Sequence, residues 1–243
     1  MLKDTTKWYA DWFNTPYYHL LYRNRDASEA KKFMDNLTQH LSLQSNETIM
    51  DLACGKGRHS LYLNSLGYEV TGVDLSKNSI DFAKKFENER LKFDVHDMTQ
   101  NYSEQFNAVF NLFTSFGYFE NEEDNIKTIK AIKANLKDYG IGVIDFLNAD
   151  YVLDNLVPTE IKKVDHIEFK IEKYLKNGFI HKDISFSDNG NDYNFTERVK
   201  AIRLEEFKNY FEAAGLTLLE IYGDYNLNKY QLKSSPRLIL IFQ

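Results

Sequence analysis

Residues Thr48–Ser60, TIMDLACGKGRHS, govern how the rest of this 243-residue chain is read. An apolar run closes on an acid, Asp51. It then enters a turn holding the only cysteine, Cys54, and two glycines one residue apart, Gly55 and Gly57. TIMDL reads as a buried strand. GRHSLYLNSLG reads as a helix stopped by Gly67. A strand that empties through a glycine-rich turn into a helix lets backbone approach a ligand with no Cβ between them. A GxG alone is satisfied by any tight turn, so the flanking sequence has to decide.

Downstream, strands and helices alternate. YEVTGVD is a strand, SKNSIDFAKKFENER a helix capped by Ser76, LKFDV a strand and FNAVFNLF another. NEEDNIKTIKAIKANLK is a long helix with acids in its first turn and lysines later, which suits the helix dipole. IGVIDFL is the fifth strand. This spacing predicts a doubly wound, parallel α/β sheet. From about Thr159 to Ala201 the apolar period becomes two, with turn signals at KNG and DNGND. That predicts three or four inserted antiparallel strands. LEEFKNYFEAAG is helical again. LTLLEIYG and PRLILIF close the chain with no helix between them, so the last strand is expected to run antiparallel. Upstream, SEAKKFMDNLTQHL opens on Ser28 as a cap and puts Ala30, Phe33, Met34, Leu37 and Leu41 at helical spacing. The expected division is an N-terminal helical lid at 1–47, a core at 48–150 and 202–243, and an inserted β subdomain at 151–201.

Composition narrows the function. Asp and Glu number 36 against 30 Lys and Arg, a formal net charge of −6, and there is no long basic block. This disfavours nucleic acid as a partner. No apolar run approaches the ~20 residues of a membrane helix. The N-terminus lacks the pattern of a signal peptide, and one cysteine cannot form an internal disulfide; the expected compartment is the cytoplasm. No His, Cys and acid cluster has metal-ligand spacing. Three acids end strands: Asp51, Asp74 and Asp97. An acid at the second strand's end can hydrogen-bond both hydroxyls of a ribose.

With these residues in view, the chain resembles the class I S-adenosylmethionine-dependent methyltransferases. IMDLACGKG is similar to their first motif, VTGVDLS to their ribose-binding motif and HDM to their adenine-side motif. FNAVFNLFTSFGYF is similar to their fourth motif, and AAGLTLLEIYG with SPRLILIFQ to their closing hairpin. The resemblance covers about Thr48–Leu147 and Arg203–Gln243. It implies a Rossmann-like seven-stranded sheet with the last strand antiparallel. It implies S-adenosyl-L-methionine as cofactor, and in-line methyl transfer to a small-molecule N, O or C nucleophile. By the same resemblance, Gly55 and Gly57 pass under the cofactor, and Ala53 stands where the family often has glycine. Asp51 helps hold the methionine amino group, Asp74 with Leu75 the ribose, and Asp97 and Met98 the adenine. Asn111 and Leu112 fall beside the methionine and the transferred methyl.

Four alternatives stay open. Two are methyltransferases acting on protein or on RNA, and the third is a non-catalytic cofactor-binding module. The fourth, an NAD-dependent dehydrogenase, fits less well because Ser60 stands where its fingerprint needs a third glycine. The aromatic stretch WYADWFNTPYYHLLYRNRD offers Tyr9, Trp12, Tyr17, Tyr18, His19 and Tyr22 as a lid, or equally as rings buried by a packed helix. Tyr18, His19 and Tyr118 are the candidate catalytic groups, and Phe116 joins Tyr118 as a candidate wall of the acceptor pocket. Arg23 or Arg58 is the candidate partner of the cofactor carboxylate. His59, His96 and His181 read as structural or surface residues. The inserted strands serve either as a substrate roof or as edges of a homodimer.

Overall fold

The computed structural model describes residues 12–13, 15–23 and 27–243. Its centre is strand β1 (Thr48–Leu52), buried from Ile49 onward. An apolar run of this kind is what a strand covered on both faces requires. β2 (Glu69–Asp74) and β4 (Phe106–Asn111) flank it, both parallel. β3 (Leu91–Val95) lies outside β2, and β5 (Leu136–Leu147) outside β4, again parallel. β11 (Arg237–Phe242) runs antiparallel to β5 and to β10 (Leu218–Tyr222) at the sheet edge. The order β10-β11-β5-β4-β1-β2-β3 is the seven-stranded sheet expected, with its final strand reversed.

Helices cover both faces. On one, α2 (Ala27–His40), α3 (Arg58–Ser65) and α4 (Lys77–Ala83) bury Phe33, Met34, Leu37, Leu63 and Ile80 with Phe93. On the other, α5 (Glu122–Asn135) and α7 (Leu204–Ala214) bury Ile129, Ile132, Phe207 and Phe211 with Phe146. Three boundaries differ from the sequence reading. α2 already contains Ser28 in its first turn, so Ser28 is not its cap. α4 keeps its Ser76 cap but ends at Ala83 in a short 3-10 turn, Lys84–Phe86. Beyond it the Glu87 carboxylate accepts the Phe93 N–H at 2.8 Å and Asn88 bridges Leu91, so turn chemistry overrides helical periodicity. α5 stops at Asn135, because Leu136 already pairs with Phe106 and starts a longer β5.

The insertion forms a second sheet of four antiparallel strands in the order β6 (Thr159–Val164), β7 (Ile167–Lys176), β8 (Phe179–Asp188), β9 (Asn191–Lys200). A short helix, α6 (Ala149–Asp154), leads into it. The period-two pattern places Ile167, Phe169 and Ile171 on one face of β7, and all three are buried. Their cover is the N-terminal segment. Trp12 and Leu21 pack into this cluster, and Leu21 ends α1 (Pro16–Leu21), which Thr15 caps through the Tyr18 N–H. Polar ties reinforce the packing: Tyr17 donates to Asp188 at 2.9 Å and Lys162 to the Leu21 carbonyl at 3.0 Å. Tyr17 is thus held on the second sheet. Arg23 also belongs here, paired with Asp165 at 2.8 Å, away from the cofactor site proposed for it from sequence. β9 joins the main body: Lys200 N–H donates to the Gly117 carbonyl at 2.8 Å, and Arg198 and Lys200 pair with Glu120 and Glu122.

Candidate active site

The carboxyl ends of β1, β2, β3, β4 and β5 open on a cavity of about 890 Å³. It sits where the order turns from β1–β2 to β1–β4, the reversal at which open α/β sheets bind ligands. Its floor is the loop after β1. Gly55 has φ +56, and a Cβ built there meets nothing within 4 Å, so the bare backbone is itself the cavity wall. Gly57 does a different job. At φ +78, its Cβ would lie 2.6 Å from the Phe93 ring, so this glycine lets α3 close on the sheet and does not line the cavity. Ala53 lines the cavity with φ 66, a left-handed conformation that strains a residue with a Cβ by about 1–2 kcal/mol.

The acids gather around this loop. Asp74 accepts the Gly55 N–H at 2.9 Å and the Ser76 N–H at 2.8 Å, so one side chain ties the ends of β1 and β2 together. Burial raises its pKa, and those two N–H groups pull it back. Asp51 is 2% exposed and accepts the Ser60 hydroxyl at 2.6 Å. Burial, with Asp74 adding to it, lifts Asp51 to about 6 against the pull of Ser60. Ser60, in the position of the missing third glycine, therefore serves the loop as an acid's partner. Cys54 is buried, and burial pushes its thiol well above the usual range, so it contributes as a small apolar group. Asp97 and Met98 line the far end; Asp97 also accepts from the Thr99 N–H and hydroxyl. Leu75 and Leu112 line the cavity as well. Asn111 does not. It is fully buried, and its amide donates to the Leu52 carbonyl at 3.0 Å, tying β4 to β1 beneath the cavity.

The candidate catalytic groups Tyr18, His19 and Tyr118 all reach the cavity. Burial, helped by the Lys56 charge, lowers the His19 pKa and keeps its ring neutral near pH 7. Tyr118 donates to the Thr114 carbonyl at 2.7 Å. Phe116, expected beside it, is instead a core residue packed on Phe207, because the chain between them turns at Gly117 (φ +83). Of the lid candidates, Tyr22 lines the cavity, Trp12 lies buried behind it and Tyr9 falls outside the described residues. Arg58 lines the cavity over the Phe113 ring. His59 stacks on Phe113 at 4.4 Å, and His96 contacts the Gln100 carbonyl at 3.0 Å; both also face the cavity. His181 stacks on Tyr174 at 5.0 Å in the second sheet.

Sequence reading missed two groups of residues. Asp145, on β5, is fully buried and paired with Arg237 of β11 at 2.7 Å. It also accepts the Phe113 N–H at 2.8 Å and the Tyr225 hydroxyl at 3.2 Å. Burial works most strongly against the Arg237 charge, but Asp145, with Tyr225 and Glu29 adding to it, outweighs it, so the guanidinium titrates above its ordinary range. Phe113 and Thr114 both carry positive φ (57° and 62°), and this pair clamps them: Arg237 donates to the Thr114 hydroxyl at 2.9 Å. Strain of this kind persists where the surroundings over-determine it. The second group comes from the inserted sheet. Lys182 of β8 and Glu197 and Val199 of β9 enter the cavity opposite the loop. Glu197 is bonded to Trp12 and Lys182 to Tyr22, each more than 150 residues away in sequence, which no local pattern reveals.

A mixed sheet of this order, with a bare loop and strand-end acids under one cavity, defines a nucleotide-cofactor enzyme of the methyltransferase type. The chain belongs to the methyltransferase domain family, whose profile matches residues 23–221. The family's methyl donor is S-adenosylmethionine. The chain is similar to YqeM of Bacillus subtilis, which is named as a methyltransferase: 29% identical over 195 residues, 76% of this chain and 79% of that one. It is similar to a glycine/sarcosine N-methyltransferase of Aphanothece halophytica, 33% identical over 138 residues. That match spans 54% of this chain and only 50% of the relative. Among solved structures, an S-adenosylmethionine-dependent methyltransferase from Clostridium acetobutylicum superposes with TM-score 0.78 at 22% identity over 93% of this chain and 95% of that one. CalS10, an amino pentose methyltransferase from Micromonospora echinaspora solved with S-adenosylmethionine, gives 0.72 at 16% identity over 94% and 96%. At these identities the structural likeness is one of fold. No helix among the described residues is long and apolar enough to cross a membrane.

Proposed function

We propose that this chain transfers the methyl group of S-adenosylmethionine to a nucleophile on a small molecule. The observation that carries the reading is the open Cβ direction at Gly55, whose N–H Asp74 accepts, in a cavity that Asp51 also lines. The turn glycines Gly178 and Gly190 are equally open, but Gly55 lines the cavity, where bare backbone lets a ligand lie directly against it. The residues fit the donor along its length. Asp97 and Met98 suit the adenine, Asp74 the ribose hydroxyls with Leu75 as an apolar wall beside it, and Asp51 the methionine ammonium. Arg58 suits the methionine carboxylate.

When bound, the donor supplies an activated methyl on a sulfonium with a neutral leaving group. The chain's own work is therefore alignment and exclusion of water, for which ~7–11 kcal/mol is accessible. Leu112, Leu147 and Val199 line the cavity as apolar groups, while Phe113 and Tyr118 give rings that tolerate a spreading positive charge. His19, neutral near pH 7, is the candidate proton acceptor where the nucleophile must lose a proton. The relatives named for glycine/sarcosine and amino pentose substrates support a small acceptor, as does a cavity volume within the usual range for small-ligand sites.

Calorimetric titration with S-adenosylhomocysteine tests the reading directly. Binding is expected, and Asp74→Ala is expected to weaken it by roughly ten- to a hundredfold, the worth of hydrogen bonds to a charged acceptor. Absence of binding to the wild-type protein rejects the assignment.

A further inference from the structure

The donor reading leaves the roof of the cavity unexplained. There the inserted sheet presents Glu197, whose side chain is only 16% exposed, with Lys182 beside it at 3.8 Å. Glu197 is held rigidly. Its Oε1 accepts the Trp12 indole N–H at 2.6 Å, and the Tyr22 hydroxyl reaches both oxygens at 2.7 Å. Lys182 in turn donates to the Tyr22 hydroxyl and lies over its ring, 4.5 Å from the centroid. A carboxylate has about four acceptor positions, so Oε2 keeps capacity for a further donor. Around it stand rings that also line the cavity: Phe13, Tyr18, Tyr22 and Tyr118. Phe13 and Tyr18 lie 4.8 Å apart, Tyr18 and Tyr22 4.9 Å, and Phe13 and Tyr118 5.8 Å.

The geometry points to Glu197 as the group that receives the methyl acceptor, and to an uncharged primary or secondary amine as the acceptor's nucleophile. This rests on the donor reading above. The carboxylate accepts the amine N–H and so aims the nitrogen lone pair into the cavity. Lys182, paired with that carboxylate at 3.8 Å, offsets its pull on an ammonium, so the neutral, nucleophilic form can occupy the spot. During transfer the nitrogen lone pair forms the new N–C bond, and the sulfur keeps the electron pair of the bond that breaks. The nitrogen is left cationic and then releases its proton to water. Glu197 and the rings stabilise that cation. An ionised oxygen nucleophile ends neutral and gains nothing from them.

The test uses tritiated-methyl S-adenosylmethionine with glucosamine, sarcosine and ethanolamine as amine probes. Catechol and benzoate serve as oxygen probes, and choline as a permanent cation. Label is expected in at least one amine and in neither oxygen probe, with the amine's apparent KM falling as pH rises toward its own pKa. Glu197→Gln keeps the side chain's size and its bonds to Trp12 and Tyr22. It is expected to raise the amine KM at least tenfold and to leave S-adenosylhomocysteine affinity within twofold. Calorimetric titration of the amine into S-adenosylhomocysteine-loaded protein should lose the same factor, and choline, which has no N–H for Glu197 to accept, should bind at least tenfold more weakly than the preferred amine. Glu197→Asp, which keeps the charge but retracts it, should fall between. An unlabelled amine panel on a protein that binds S-adenosylhomocysteine overturns the assignment. So does preferential labelling of an oxygen probe, or an unchanged KM in Glu197→Gln. Failure to bind S-adenosylhomocysteine at all removes the donor reading and this inference with it.

Discussion

Asp51 shows how much one position at the end of β1 controls. An acid whose pKa rises from 3.8 to about 6 on folding binds its proton more tightly in the folded state. Stability contributed by that proton is full below pH 4 and is lost as pH rises to 6; ionised Asp51 then costs the fold about 3 kcal/mol. Asp51→Asn removes the titration. Relative to wild type it should gain up to about that amount between pH 4 and 7 in paired urea melts. Ligand binding has the opposite dependence. A methionine ammonium prefers the ionised acid, so S-adenosylhomocysteine affinity should rise between pH 5 and 7, and Asp51→Asn should flatten the rise. The two loop glycines separate in the same way. Gly57→Ala must fit a Cβ 2.6 Å from the Phe93 ring at positive φ, and should cost about 2–4 kcal/mol of stability. Gly55→Ala meets no atom; it should cost about 1–2 kcal/mol and yet weaken S-adenosylhomocysteine binding at least tenfold. A denaturation curve and a titration on each variant check both.

Between elements, the Asp145–Arg237 pair joins β5 to β11 and fixes the turn after β4. Removing one partner leaves a buried charge alone. Arg237→Met should therefore cost about 3–5 kcal/mol, and the double variant Asp145→Asn/Arg237→Met less than the sum, read from urea melts as a double-mutant cycle. This pair also marks where sequence reading ran out. Asp51, Asp74 and Asp97 were readable because each sits at a fixed offset from an apolar strand and a turn. The inserted strands were readable because the period changes from 3.6 to 2. Asp145 lies within IGVIDFL as one polar residue in a buried strand, and Arg237 follows Pro236 at the start of PRLILIF; nothing local says that strand pairing sets them side by side. Glu197 and Lys182 were hidden for the same reason. Asn111 and Phe116 erred in direction: both sit close in sequence to the cavity-lining residues after β4, but their side chains point into the core.

Taken as one body, the chain builds its cavity from two sheets that share few local signals. The main sheet supplies the floor, and the second sheet with α1 supplies the roof. A ligand that fills the space touches both, and it binds the folded chain but not the unfolded one. At a hundred times its dissociation constant it stabilises the fold by about 2.7 kcal/mol. For a chain of this length each kcal/mol moves the melting midpoint by about 2–4 °C, so saturating S-adenosylhomocysteine should raise it by roughly 5–10 °C. Asp74→Asn tests whether the gain comes from the floor. It removes the charge proposed to face the ribose and turns an amide NH2 against one of the two backbone N–H groups, so the ligand-free midpoint should fall by several degrees and the ligand-induced rise should shrink by half or more. Glu197→Gln, in the roof, should leave that rise intact. A scan in which the two variants lose the rise equally would show that the donor is held by the inserted sheet as much as by the loop after β1, and the assignment of floor and roof to donor and acceptor would have to be redrawn.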